Sequence, residues 1–281
     1  MNILITGATG NIGWEIIEYF NYTAGNKIFA AVQDVQKNSF TKPVELRAFD
    51  FYDLELVGAA IKDIDIIFLL RPPQIADVEN VFKPLVELFT SVGIKHIVFL
   101  SVQGAENLPV IPHYKIEKLL RESGIPYMFI RPGYFMQNLT TTLRNDIERG
   151  EIYLPSKKAK FNWVDATDIG RAIATILEAP ENHRNKAYII TGHEQLAFEE
   201  VSEMLARITG KPMCFKSPSL PSFFLRKLRE GEHVPMIFVL MMLHFMPRFF
   251  KLPPLSDDYK LLTGHQPGTL EEFIKREMMD A

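Results

Sequence analysis

Cysteine is almost missing: Cys214 stands alone in 281 residues. One thiol can neither close an internal disulfide nor begin a thiolate zinc site, so no metal centre and a reducing, cytoplasmic setting are expected. A large excess of charge of one sign is missing too. The formal net charge is −3, which removes the electrostatic case for a nucleic-acid partner. No apolar run reaches the roughly twenty residues a membrane-spanning helix needs. The strongest one, residues 236–246, is closed by Pro235 and Pro247 and reads as a buried helix or one that covers a pocket or a partner subunit. The N-terminal apolar run is too short for a signal peptide and has no basic leader. Repeats and low-complexity segments are absent as well. What remains is ordinary globular composition, 47% hydrophobic and 23% charged, in a chain long enough for one large domain or a nucleotide domain with a smaller lobe.

What is there begins at once. Residues 2–6 read as a short buried strand, Gly7, Gly10 and Gly13 punctuate a turn, and Trp14-Glu15-Ile16-Ile17-Glu18-Tyr19-Phe20 opens an amphipathic helix. In a strand, glycine turn and helix of this kind, Gly7 supplies the backbone angles and Gly10 lets a pyrophosphate approach the main chain. Gly13 lets the helix lie close to the strand. The free N–H groups at the helix start, with Thr9, Asn11 and Ile12 between the glycines, then face the phosphates. The Gly-x-x-Gly-x-x-Gly spacing alone also suits a tight turn in another α/β protein; its place directly between an apolar strand and a helix favours the nucleotide.

The stretch Thr6-Gly7-Ala8-Thr9-Gly10-Asn11-Ile12-Gly13 resembles the opening of atypical short-chain dehydrogenases/reductases, and among them the NmrA-like group. Further motifs carry the likeness on: Gly124-Ile125-Pro126-Tyr127 with Arg131-Pro132-Gly133, and Trp163-Val164-Asp165 with Asp168-Ile169. The resemblance extends to about residue 215. It implies an α/β fold, a doubly wound parallel Rossmann sheet with a smaller C-terminal substrate lobe, and NAD or NADP as cofactor.

The residue just past the second strand of such a fold meets the adenosine ribose, where an acid favours a free 2′-hydroxyl and an arginine accommodates a phosphate. Gln33 and Asp34 stand there. Members of the group that prefer the phosphorylated cofactor resemble one another in having arginine where this chain has Gln33, so the preference stays open. By the same likeness Asp50 lies near the adenine, although it could equally cap the next helix, as Asp53 is expected to do. Leu70 ends the fourth strand, residues 64–70, and Arg71 and Pro72 follow it at the carboxyl edge where ligands bind. Ser101 ends the fifth strand; the superfamily often turns such a serine toward nicotinamide and substrate carbonyl, and a serine ending a strand is just as often structural.

Reductases of this superfamily use Tyr-x-x-x-Lys, in which the lysine holds the ribose and lowers the tyrosine pKa. Tyr114 and Lys118 have that spacing. The family register rejects them: its glutamate, leucine pair and Gly-Ile-Pro match Glu117, Leu119-Leu120 and Gly124-Ile125-Pro126, which puts His113 at the lysine position and Pro109 at the tyrosine position. His113 is then either a titratable substitute or a hydrogen-bond partner of the ribose. After Arg131-Pro132-Gly133, residues 134–138 lead into a helix, and the likeness assigns Tyr134, Phe135 and Asn138 to the substrate end. Aromatics at this spacing are as readily core.

The expected division is a NAD(P)-binding domain over residues 1–150 and a substrate lobe over 151–281, with the strand near 187–190 returning to the main sheet. Residues 217–254, rich in Phe, Met, Leu and Pro, are expected to cover substrate or to form a homodimer surface. The leading functional expectation is a nicotinamide-dependent reductase passing hydride to a small apolar, quinone-like acceptor. A catalytically silent NAD(P)-sensing regulator of another protein is the alternative, and a sugar-nucleotide epimerase the third.

Overall fold

The computed structural model describes residues 1–22 and 25–279. Its strands are β1 (Asn2–Ile5), β2 (Lys27–Val32), β3 (Val44–Ala48), β4 (Ile66–Leu70), β5 (His96–Leu100), β6 (Tyr127–Pro132), β7 (Tyr134–Phe135), β8 (Glu151–Tyr153), β9 (Lys160–Val164), β10 (Lys186–Ile190), β11 (Gln195–Ala197) and β12 (Cys214–Lys216). The helices are α1 (Asn11–Tyr19), α2 (Leu54–Ala60), α3 (Lys83–Val92), α4 (Pro112–Glu122), α5 (Arg144–Glu148), α6 (Ala166–Glu178), α7 (Phe198–Thr209), α8 (Leu220–Arg229), α9 (Val234–Phe245), α10 (Asp258–Thr263) and α11 (Leu270–Met278). Packing divides them into two compact units, each drawn from three stretches of chain.

The first unit holds residues 1–132, 166–190 and 257–266. Its seven-stranded sheet runs β10-β6-β5-β4-β1-β2-β3, with parallel pairing throughout. This is the doubly wound α/β sheet that the N-terminal pattern implied, and residues 186–190 do return to it. Near-continuous apolar strands are what a parallel sheet needs, because both faces are covered. Leu4, Phe29, Ile67, Leu69, Ile97, Phe99 and Phe129 point to one face, where they pack with Val57 of α2, Phe89 of α3 and Ile116 of α4. The alternate residues, among them Ile3, Ile5, Ile66, Phe68 and Val98, are equally buried, as a period of two dictates for a covered second face.

On that other face α1 and α6 lie in contact at Gly170: a Cβ there would sit 2.3 Å from the Cβ of Glu15. Before α3 the chain makes one π-helical turn, Val78–Phe82, capped by the Asp77 side chain on the Asn80 N–H. Residues 78–92 are thus two helical pieces of different winding.

The second unit holds residues 133–165, 191–256 and 267–281. It contains a three-stranded sheet, β11-β9-β7, and a β12-β8 pair. Its core gathers Phe161, Trp163, Phe198, Phe223 and Phe273. Residues 136–139 form a 3-10 turn where the sequence pattern suggested the start of a longer helix. At one side Asp146, fully buried, accepts from the buried Lys227 at 3.0 Å, and Arg149, Arg226, Glu151 and Glu230 extend this ion-pair network. The apolar 236–246 segment lies in α9, whose first turn begins with Pro at the second position. No helix among the described residues is long and apolar enough to cross a membrane.

Candidate functional site

The sheet order reverses between β1 and β4, and in open parallel sheets ligands bind outside the carboxyl ends of the strands at such a switch point. The turn after β1 is built for close approach. Gly7 has φ 63°, the left-handed region that glycine enters without strain. A Cβ on Gly13 would lie 2.3 Å from the Gly7 carbonyl oxygen, so only glycine lets α1 pack here. Gly10 is the N-cap of α1 and no side chain caps that helix, which leaves the first-turn amides and the positive dipole end open to an anion. Thr9, Gly10 and Asn11 are exposed, whereas the Ile12 side chain is buried and only its backbone can face a ligand. These groups can hold the diphosphate of a dinucleotide.

The other expected cofactor residues stand along the same edge. Gln33 and Asp34 follow β2; Asp34 accepts from the Gln36 N–H at 2.9 Å and pairs with Lys37 at 3.0 Å. Those contacts hold its carboxyl below the usual range, the backbone bond contributing most. Asp50 follows β3 and accepts from the Tyr52 N–H at 3.0 Å, while Asp53 is the N-cap of α2, accepting from Glu55 and Leu56. Leu70 packs under Gly7. Thr6 ties the two central strands together: its hydroxyl donates to Phe68 O at 2.9 Å and accepts from Leu70 N at 2.8 Å.

Arg71 folds back on its own loop, with Nη1 donating to the carbonyls of Pro72, Pro73 and Ile75, and its Nε donates to His113 Nε2 at 3.4 Å. The imidazole that accepts at Nε2 carries its proton on Nδ1. Burial, then the Arg71 charge, pushes His113 down to about 4 despite a pull from Glu117. At neutral pH His113 is therefore a neutral hydrogen-bonding group and no longer the titratable acid that the sequence left open.

Ser101 is buried and donates its hydroxyl proton to Glu117 Oε1 at 2.7 Å. The structure thus commits the proton that a role toward a substrate carbonyl would use. Glu117, wholly buried, also accepts from Arg131 Nε at 2.9 Å, from Arg131 Nη2 at 2.7 Å and from Arg121 at 2.8 Å. Burial raises its pKa, but the bonds from Arg131 and Ser101 outweigh that and hold the carboxyl below its ordinary value. Lys118 points away, exposed, 3.7 Å from Glu122.

In the second unit Tyr134, Phe135 and Asn138 part company. Tyr134 is a core residue, packed against Phe161, Trp163 and Phe198. Its hydroxyl meets His244 Nε2 at 2.9 Å, and His244 Nδ1 meets Leu240 O at 2.7 Å. A ring enclosed in this way does not line a substrate site, because β7 turns it into the core. Phe135 and Asn138 are half-buried. A cavity of about 400 Å³ in the first unit, lined by His96, Pro126 and Glu181, opens at the amino ends of β5 and β6, the wrong sheet edge for a nucleotide.

The profile of the NmrA-like family matches residues 1–252. The chain belongs to the NmrA-like family. Among its relatives, prestalk A differentiation protein A of Dictyostelium discoideum is 28% identical over 98% of this chain and 92% of its own. The NAD(P)H azoreductase of Xenophilus azovorans is 28% identical over 97% and 96%. Citrobacter sp. triphenylmethane reductase, solved with NADP(H), is 25% identical, covers 99% of this chain and 100% of its own, and superposes with a TM-score of 0.84.

Within this NmrA-like chain two features escaped the sequence reading. Thr6 looked like a strand end, and Glu117 and Arg131 served only as family landmarks. A signal was present: an arginine closing the apolar run Tyr127-Met128-Phe129-Ile130 must find a counter-charge when its strand is buried.

Proposed function

We propose that this protein is a NAD(P)H-dependent reductase acting on a small conjugated acceptor of the quinone, azo or triphenylmethane kind. The observation that carries it is the uncapped α1 N-terminus over Gly7, Gly10 and Gly13, in a family member whose relatives include an azoreductase and a triphenylmethane reductase. Reduced nicotinamide supplies a hydride when bound. The first-turn amides of α1 hold the diphosphate, Gln33 and Asp34 face the adenosine ribose, and Asp50 lies toward the adenine. Leu70, Arg71 and Pro72 border the nicotinamide half, with neutral His113 offering Nδ1–H as a donor to ribose or acceptor.

None of the three side chains His113, Ser101 and Lys118 is set to deliver a proton. His113 is neutral, the Ser101 proton goes to Glu117, and Lys118 stands in solvent. Such an edge suits an acceptor that takes hydride into a conjugated system and its proton from water, and it suits a ketone or a sugar epimerisation poorly. The same lack of an acid favours a silent nucleotide sensor as the second reading.

Titration calorimetry with reduced and oxidised dinucleotides, each with and without the 2′-phosphate, tests the cradle; turnover with a quinone and azo panel separates the readings. A reduced form is expected to bind, and Gly10→Val, which puts a side chain into the cradle with its Cβ 3.3 Å from the Gly7 carbonyl oxygen, is expected to weaken it at least tenfold, or about 1.4 kcal/mol. Binding without turnover of any acceptor selects the sensor. No binding of any dinucleotide overturns both.

A further inference from the structure

The second unit holds a cavity of about 800 Å³ between the 157–160 turn and the 247–252 segment. That volume suits a drug-sized molecule. Four cations line it, Lys157, Lys158, Lys160 and Arg248, against a single acid, Glu199. Lys160 pairs with Glu200 at 3.2 Å, but Lys157 and Lys158 are exposed and have no ion pair among the described residues. This is a local excess of positive charge on a protein whose formal net charge is −3.

Apart from Ser217, the rest of the lining is aromatic and apolar, including Phe215, Phe249 and Phe250. Phe249 and Phe250 are 64% and 62% exposed, two adjacent rings left in water at the rim. Arg248 is fixed in place: it lies 4.5 Å from the Phe245 ring centroid and 5.5 Å from that of Phe249, and it donates to Pro155 O at 3.3 Å. Lys157 has φ 47°, a left-handed conformation that a lysine adopts only under strain, and its N–H is held by Ser217 Oγ at 2.9 Å.

We propose that this cavity binds a flat aromatic anion, a ring system bearing a carboxylate or sulfonate. The rings stack on the ligand, and the lysines and Arg248 take its charge. A neutral ring gains only cation–π attraction from the four cations and no charge pairing, and a cationic one is repelled. The site goes beyond the reductase reading and does not rest on it, since all its lining residues belong to the second unit.

The test is a fluorescence titration of the full chain with anilinonaphthalene sulfonate, beside phenylnaphthylamine, the same ring system without the sulfonate. The sulfonate is expected to bind more tightly, and more weakly as salt rises. Lys158→Glu is expected to lower its affinity about tenfold and leave phenylnaphthylamine unchanged, while Phe250→Ala weakens both; both positions are exposed, so the fold tolerates the changes. Naphthoate is expected to displace the probe. The proposal is overturned if the sulfonate does not bind, if the two probes bind equally, or if Lys158→Glu leaves sulfonate binding intact, as it would for a dye lying on the exposed Phe238, Met242 and Leu243 of α9.

Discussion

His113 at the carboxyl edge of the parallel sheet and His244 in the aromatic core of the second unit are both held down to about 4, and burial is the largest cause for each. Their surroundings differ. His113 takes a hydrogen bond from a charged Arg71 and keeps Nδ1–H for something else, while both nitrogens of His244 are used up by Tyr134 and Leu240. A depressed pKa is thus no mark of function by itself: the edge histidine retains an unspent donor, and the core histidine is a satisfied strut. The same contrast separates the polar groups beside them. Around Glu117 the first unit buries full charges that neutralise one another; around Tyr134 the second unit buries a neutral phenol and imidazole.

The largest effect that sharpens this contrast is at the charged site. Glu117→Ala removes the fully buried partner of Arg131 and leaves it only the half-buried Glu106 at 3.1 Å; it is expected to cost about 3 kcal/mol, read by denaturant unfolding. A loss under about 1 kcal/mol would mean that water reaches the site and that it is not the closed network described.

Next comes the pH dependence. Each histidine has a folded pKa below its unfolded value near 6.5, so the unfolded chain binds more protons between roughly pH 4 and 6.5 and stability falls as pH drops through that window. Each is expected to contribute about 2 kcal/mol of that loss between pH 7 and 5. His113→Gln and His244→Gln should each flatten the unfolding free energy against pH by a similar amount. If only His244→Gln does so, His113 is hydrated and the likeness between the two fails.

The smallest effect is expected at Tyr134→Phe, which strands the His244 Nε2 acceptor and costs about 1–2 kcal/mol. It should leave dinucleotide affinity unchanged, because Tyr134 is core. A change in acceptor KM with unchanged stability would restore Tyr134 to the substrate end.

Much of the first unit was legible from local pattern. Strand β1 and helix α1 follow from residues within one element, and the glycine turn from three positions with opposite steric needs. Family register put His113 at the lysine position and matched Glu117 to the family glutamate, setting Tyr114 and Lys118 aside. Less legible were the features that need a partner far along the chain. Ser101 could be aimed at a ligand or at α4, and only the 16-residue separation to Glu117, closed by the fold, decides it. Tyr134 could line a site or a core, and its bond to His244 spans 110 residues.

The sequence by itself determined the doubly wound sheet, its glycine cradle and the membership of the family, because alternation, backbone freedom and helix-start chemistry act over a few neighbouring residues. Tertiary structure alone decided the protonation of His113, the fate of the Ser101 proton, the burial of Tyr134 and the meeting of the 157–160 lysines with Phe249 and Phe250. Those depend on desolvation and on charges brought together across the chain, and no local pattern encodes either.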